Sequence, residues 1–420
     1  MNLTIKIILM LVYIISLYFT TFWVIVFLNG EIKFEDKSRV KLKRKPFVSV
    51  IVPAYNEESV IEHTLESVTS LDYPKDKLEI IIINDGSTDK THKIVQDFIK
   101  KHKKSNIKLF HQENKGKAAA LNHGLSKIEG EFFACLDADS VVEPLTLKKM
   151  LGVYEDNKED LAIVTPAMKV KEPQTILQKL QRLEYILTLF TARLMSCLDC
   201  LYVAPGPFSL YRTKIIKELG GFEEGNLTED MEIAYRVQKQ HYSIKHCHDA
   251  YVYTNAPRST KELYLQRNRW FKGGLFNALK YKEITFNKNY GDFGFIQMSI
   301  NFIAFVLCGS AIFFFLYYLL MPLIKGLHRL YLVNFDFLPY LRSLEFTFDP
   351  LSITDLGFII MFIFIISFGI FYLSHKSAKE NVIKKSFWYV IPYFLIYYII
   401  LSFIAVVAVF ELVVRRKQKW

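Results

Sequence analysis

Residues 7–28 form a run of 22 without a charge, and three more long apolar runs, at about 295–324, 356–373 and 387–410, crowd the C-terminal third. About 20 apolar residues carry an α-helix across a bilayer. Between the first run and the others lie roughly 250 residues rich in both charge signs. A chain divided in this way folds as a soluble block held by membrane helices at both ends. With 23% charged residues and 51% apolar ones, the chain is too apolar for a disordered chain and too charged for an all-membrane one. Phe22, Trp23 and Phe27 carry the first run beyond a signal-peptide core, so residues 1–30 read as a retained anchor. Five cysteines in 420 residues exclude a disulfide scaffold.

Charge predicts the orientation. Segment 31–45 is a basic linker with seven Lys/Arg against three acids, and segment 374–386 is basic as well. Loop 325–355 has three Lys/Arg and four acids. The positive-inside rule therefore puts block 46–290 in the cytoplasm and loop 325–355 outside. Region 291–420 then holds about three hydrophobic segments. Three full crossings would leave Arg415, Arg416 and Lys417 outside, against the same rule, so one late run is expected to be interfacial or re-entrant, with Pro392 as its break. The expected address is the plasma membrane, multi-pass, in contact with its lipids.

Within 46–250, short β-branched runs at 48–52, 79–83, 107–110 and 131–136 alternate with helical patterns at 59–70 and 88–101. This order predicts an α/β domain, a mostly parallel sheet with helices on both faces. Ligands of such sheets bind beyond the carboxyl ends of the strands. Polar residues stand at those ends: Asn56 and Glu57, Asp85, then Asp137 and Asp139.

Asp137-Ala138-Asp139 can turn two carboxylates onto one hard cation, and Mg²⁺ or Mn²⁺ takes a few carboxylates plus phosphate oxygens. A solvated turn would look the same. Asp85 lies in Asn84-Asp85-Gly86-Ser87, a strand-to-helix turn in which Ser87 or Thr88 is expected as helix cap. Asn114-Lys115-Gly116-Lys117 opens a helix, and a helix N-terminus with a lysine favours phosphate. It is no Walker A loop, and no G-x-G-x-x-G occurs, so a dinucleotide cofactor is not expected. Thr228-Glu229-Asp230 reads by itself as a capped helix start with acids at the positive dipole end. Gln266, Arg269 and Trp270, at i, i+3 and i+4, share one helix face. That face suits a diphosphate and a sugar ring, or a membrane surface.

These segments, in this order, resemble the family 2 glycosyltransferases, and more closely the membrane-embedded processive synthases of poly-N-acetylglucosamine, hyaluronan, chitin and cellulose. The matching residues are 50–57, 84–87, Gly116-Lys117 with Ala120-Leu121-Asn122, Asp137-x-Asp139, Thr228-Glu229-Asp230 and Gln266-x-x-Arg269-Trp270, covering about 46–275. The resemblance implies a GT-A-like fold. It implies that Asp85, with Ala54, Tyr55 and Glu57, binds the nucleotide base and ribose, and that Lys117 lies against the nucleotide or its diphosphate. Asp137 and Asp139 would hold Mg²⁺ or Mn²⁺ at that diphosphate, Asp139 directly. Asp230 would be the general base. Gln266, Arg269 and Trp270, with Glu229, would hold the diphosphate and the acceptor end. Gly206, between Pro205 and Pro207, would line the acceptor site. The donor implied is a UDP-sugar, and the acceptor a growing polysaccharide or a glycolipid.

A single base suits in-line displacement with inversion of the donor linkage, and no Ser-His-Asp or Cys-His signature supplies a nucleophile. The chain has no F-x-V-T-x-K gating segment, which sets the cellulose synthases aside. Trp270-x-x-Gly273-Gly274 is closer to poly-N-acetylglucosamine synthases, and 205–212 to hyaluronan synthases. The expected product is a polysaccharide of N-acetylglucosamine exported through the spans, in company with a small membrane partner subunit. The alternatives are a single-transfer glycolipid synthase and a non-catalytic transporter or scaffold with a relic domain. Cys197-x-x-Cys200 lacks the second pair of a zinc site, and His241, His246, Cys247 and His248 read as polar edge and core residues. The basic surplus of +11 favours anionic lipid and diphosphates; no aromatic-basic module points to nucleic acid. Residues 175–194 predict an amphipathic helix, in the core or joining the domain to the membrane.

Overall fold

The computed structural model describes residues 3–29, 40–157, 159–332, 334, 355–380 and 387–414. Most of segment 31–45, most of loop 325–355 and the basic tail fall outside the described residues.

Eight strands build one sheet: β1 (Val48–Ala54), β2 (Leu78–Asp85), β3 (Asn106–Gln112), β4 (Phe132–Cys135), β5 (Val141–Val142), β6 (Leu161–Val170), β7 (Ser209–Arg212) and β8 (Ser243–Thr254). Their spatial order is β3-β2-β1-β4-β7-β6-β8-β5. The pairs β3–β2, β2–β1 and β1–β4 are parallel, as is β6–β8, while β7 runs antiparallel to both its neighbours and β5 antiparallel to β8. The sheet is thus mixed, its β3-β2-β1-β4 half parallel as the alternating pattern predicts. All eight residues of β2 are buried. Period-two alternation deals Val48, Val50 and Val52 to one face and Ile51 to the other. The first face is covered by α2 (Ile61–Thr69) and α3 (Thr91–Lys101), through Ile61, Leu65, Val95 and Phe98. The second is covered by α4 (Lys117–Lys127), through Ala118, Ala120 and Leu121.

Because β1, β2 and β4 run parallel and in register, with Ala54 beside Asn84 and Ile51 beside Cys135, the turns that follow them emerge at one edge. This edge collects Tyr55–Glu57, Asp85–Ser87 and Asp137–Asp139. The helices α5 (Thr146–Glu155), α6 (Ile176–Cys197), α7 (Thr213–Glu218), α8 (Glu229–Lys239) and α9 (Thr260–Lys280) complete the block. A capping box starts α6: the Thr175 hydroxyl accepts from the Gln178 amide, and the Gln178 side chain accepts from Thr175 N–H.

Among the described residues, three helices are long and apolar enough to cross a membrane: Ile7–Asn29, Phe293–Leu332 and Trp388–Val413. The first belongs to α1 (Leu3–Asn29). The second, α10, runs past the apolar stretch that predicts it; its 40 residues reach about 60 Å at 1.5 Å each, twice the hydrocarbon thickness. A fourth helix, α11 (Asp355–Ser377), covers the run at 356–373. The last, α12 (Trp388–Val413), lies against the soluble block near both ends: the Lys179 ammonium donates to Tyr389 Oη at 3.2 Å, and Glu411 pairs with Lys272 at 2.7 Å. Tyr393 and Tyr397 are buried between, against Leu180, Leu183, Leu263 and Phe371. α6 thus packs on the sheet with one side and carries apolar residues of α11 and α12 on the other, which combines both readings of its amphipathic pattern.

Candidate active site

The turn after β2 shows why its residues are what they are. Gly86 has φ +73° and stands so close to Asn114 that a Cβ would lie 2.7 Å from its backbone nitrogen. Asp85 points into the same crossing. One of its oxygens accepts from Gln112 Nε2 (2.7 Å) and Lys115 N–H (3.1 Å), the other from Gly116 N–H (3.0 Å). Asp85 therefore orders the loop that launches α4. Ser87 and Thr88 cap nothing, contrary to the expectation: α3 begins after Lys90, without a side-chain cap. Their amides are taken by Asn84 Oδ1 and Asn56 Oδ1, which ties the β2 turn to the β1 turn. Ala54 is buried, leaving only its backbone to a ligand, whereas Tyr55 is 47% exposed beside it.

Lys117 is the first residue of α4, after Gly116 at φ +89°. Its ammonium lies 2.5 Å from Asp137 Oδ1 and 3.1 Å from Glu229 Oε1. One lysine thereby joins the end of β4 to the start of α8. These two acids hold the lysine's pKa above its ordinary value, against the opposing effect of burial. Gly206 closes the junction from a third side: a Cβ there would stand 2.5 Å from Lys117 Nζ and 2.6 Å from Asp137 Oδ2. The small-residue turn between two prolines is thus set by contact with the lysine–aspartate pair.

The acids around this pair disfavour one another's charge. Burial, then the neighbouring Asp137, raises the pKa of Asp139, which accepts from Ser140 Oγ at 3.0 Å. Burial and the charges of Asp139, Asp137 and Asp89 push Glu57 up to about 7. Asp230 is pushed up to about 6 by burial and by Glu229, against the opposing pull of Lys117 and Arg269. A carboxyl so tuned is ionised at neutral pH and ready to take a proton. A cation would relieve this crowding at Asp137 and Asp139. Among the described residues no group of three or more His, Cys, Asp or Glu is arranged to hold a metal. Two half-buried carboxylates fit a hard divalent ion that draws its remaining ligands from a diphosphate and water.

Thr228 corrects a second expectation, for its hydroxyl caps no amide of α8. It accepts instead from Asn277 Nδ2 of α9 at 3.0 Å, and Asn277 Oδ1 accepts from Asn226 Nδ2 at 2.9 Å. Asp230 Oδ1 itself takes the Met231 amide at 2.8 Å. Helix α9 presses on this point, because a Cβ on Gly273 would lie 2.5 Å from Thr228 Cγ2. The glycine after Trp270 is therefore required for the approach of α9 to the start of α8.

Gln266 and Arg269 line a cavity of about 670 Å³, with Ser59, Leu227, Asn255 and Arg258 among its walls. Trp270 does not line it. Its ring stacks beneath the Arg267 guanidinium, 4.1 Å from the centroid. Arg267, 2% exposed, is a residue that the spacing of the motif passes over. It donates to Gln266 Oε1 at 2.9 Å and to Glu184 Oε2 of α6 at 2.6 Å. Cys197 and Cys200 are free, and burial lowers the His246 pKa to about 3, so the imidazole is neutral, in keeping with the polar-core reading.

A family model described as glycosyl transferase family 2 matches residues 49–220. The Bacillus subtilis protein "Probable glycosyltransferase YdaM" is 34% identical over 250 residues, which are 58% of this chain and 59% of that one. The chain thus matches under two thirds of that relative's length. Poly-beta-1,6-N-acetyl-D-glucosamine synthases are similar over more of their length. That of Staphylococcus aureus (strain COL) is 30% identical over 63% of this chain and 68% of its own, and that of Staphylococcus epidermidis (strain RP62A) is 29% identical over 83% and 80%. Among solved structures, the mannosyltransferase PcManGT of Pyrobaculum calidifontis, in complex with GDP-Man and Mn²⁺, shares the fold over 99% of this chain and 98% of its own, at a TM-score of 0.62 and 16% identity.

Two outcomes follow from the geometry. Replacing Gly206 by Ala separates Lys117 from Asp137, so turnover should fall about 10²-fold in a protein that still folds, read from initial rates. The raised pKa of Asp230 also has a stability consequence. Its charge is disfavoured in the folded state, so folding loses stability as pH rises from the ordinary carboxyl range through about 6. Asp230→Asn should therefore raise Tm at pH 8 by about 2–4 °C, the effect of about 1 kcal/mol, and by less at pH 4.

Proposed function

This chain belongs to glycosyl transferase family 2, and we propose that it is a membrane-embedded, inverting β-glycosyltransferase that moves N-acetylglucosamine from a UDP-sugar onto a growing polysaccharide. The observation that carries this reading is the Lys117 junction. It holds the acids of the sheet edge and those of α8 in one site, within the electrostatic reach of Arg269. Similarity to poly-beta-1,6-N-acetyl-D-glucosamine synthases supports the choice of sugar and polymer.

In this reading the nucleotide lies over the turns of Tyr55, Glu57 and Asp85, with Lys117 against its diphosphate. Asp139, with Asp137, is the set that would hold Mg²⁺ or Mn²⁺, which would neutralise the leaving diphosphate. Gln266 and Arg269 face the cavity from α9, and Arg269 adds positive charge for the leaving group. The acceptor hydroxyl oxygen attacks the anomeric carbon and forms the new C–O bond. The bond from that carbon to the UDP oxygen breaks, and its electron pair leaves with UDP. The hydroxyl proton passes to the Asp230 carboxylate. One displacement inverts the anomeric centre.

We place the block on the cytoplasmic side of the plasma membrane, where nucleotide sugars are made. α12 touches the block near both its ends and packs along α9 and α10 between. A cytoplasmic C-terminus, in keeping with Arg415, Arg416 and Lys417, requires two crossings after the block, so that one of α10, α11 and α12 does not cross.

Purified protein in lipid should release UDP from UDP-N-acetylglucosamine with Mg²⁺ or Mn²⁺ and make chains cleaved by a β-1,6-specific hydrolase. A product of one sugar on lipid would overturn the polymer and leave a glycolipid synthase; release only from another donor would overturn the sugar. Asp230→Asn should lower kcat by about 10²–10⁴-fold with little change in donor KM. The parent rate should fall below pH 6, where Asp230 is protonated. Asp139→Ala should abolish metal-dependent binding of UDP, as measured by calorimetry.

A further inference from the structure

Helix α9 has two working sides. Gln266, Arg269 and Gly273 look toward the cavity and α8. Tyr264, Asn268 and Lys272, at i, i+4 and i+8, form a row about half a turn away. All three converge on one carboxylate of the last apolar helix. Lys272 Nζ lies 2.7 Å from Glu411 Oε2, Asn268 Nδ2 donates to the same oxygen at 3.0 Å, and Tyr264 Oη donates to Oε1 at 3.5 Å. Asn268 is 2% and Lys272 4% exposed. A second clamp stands beside it: Glu184 of α6 accepts from Arg267 and from Tyr397 Oη of α12, each at 2.6 Å.

Lys272 is followed at once by Gly273, which presses on Thr228, two residues before Asp230. The base is thus one rigid helix away from the Glu411 carboxylate. A buried ion pair adds little net stability but is strongly directional, and losing one partner strands the other charge. We propose that Lys272 and Glu411 are a positioning pair: α12 sets the placement of α9, and through Gly273 and Thr228 the placement of Asp230. Neither residue lines the cavity. It makes turnover depend on where the last apolar helix sits, so a shift of that helix changes the rate. The inference rests on Asp230 as the base.

The test uses full-length protein in lipid nanodiscs. Glu411→Gln keeps the shape and the acceptor oxygen for Asn268, with Tyr264 Oη turned to accept from the new NH2, and Lys272→Met keeps the stem. Each should lower kcat about tenfold or more, with donor KM and UDP affinity within about twofold, because the donor acids stand on the sheet. The double variant should lose no more than the worse single one. A folded single variant with parental kcat, multiplied losses in the double, or a loss carried by donor KM would overturn the pair. Should Glu411→Gln fail to fold, Asn268→Ala takes its place: kcat lowered about threefold at constant KM supports the pair, and parental kcat overturns it. Asp230→Asn is measured alongside. If it stays active, the base reading falls and this proposal with it; if it is dead while Glu411→Gln is fully active, only the positioning pair falls.

Discussion

Five carboxylates crowd one edge of the sheet, and Lys117 is the cation at their centre. Glu57, Asp137, Asp139, Glu229 and Asp230 come from three different turns, and burial makes each like-charge neighbour more costly. A fold carries such a cluster only where its surroundings are rigid. Parallel strands in strict register supply that rigidity, since buried β1, β2 and β4 aim their following turns at one place. Asp85 supplies the next layer by spending its carboxylate on three donors of the loop that sets Lys117. The site is held together by attraction to one ammonium and held under tension by repulsion among the acids.

That tension separates two roles that the same residue type plays a few ångströms apart. Glu229 has its carboxylate 3.1 Å from Lys117 and serves the junction, while Asp230, one residue on, faces Arg269 electrostatically and is shifted toward neutral pH. The first pairs with the lysine, and desolvation lifts the pKa of the second. Adjacent acids at a helix start thus differ in surroundings, one paired with the lysine and the other, in the proposed mechanism, the base. The unfavourable charge on Asp230 is an instance of stability given up at a functional site.

Much of this edge is legible in the sequence, because strand-end chemistry is local. A β-branched run followed by Asp-x-Asp, or by Asn-Asp-Gly-Ser, declares both a strand and what stands at its tip. The motif order adds the family, and with it the GT-A sheet. The errors are also local in kind. Ser87, Thr88 and Thr228 look like helix caps, yet each has a tertiary partner that the neighbouring sequence does not show. Trp270 sits at the right helical spacing for the cavity but turns to Arg267, since a buried guanidinium beside an aromatic face outweighs a shared side of the helix. Glu184 and Glu411 are silent for a different reason. Their partners on α9 lie 83 and 143 residues away, so no periodicity reports them. A lone acid closing an apolar run, and a lysine placed four residues after an asparagine on a helix face, are the only hints.

The two buried clamps on α9 also bear on how a soluble transferase fold is made to work at a membrane. Apolar contact alone, as between Leu180, Leu183 and Tyr393, holds a helix at the surface but leaves it free to slide, because the hydrophobic effect has no direction. Ion pairs and hydrogen bonds fix rotation and register, since their energy falls steeply with angle and distance. The tryptophan-bearing helix is fixed in this way at Glu184 and Glu411, while its other side meets Thr228 through a glycine. Direction on one side and close approach on the other turn α9 into a spacer of set thickness between the last apolar helix and the catalytic edge.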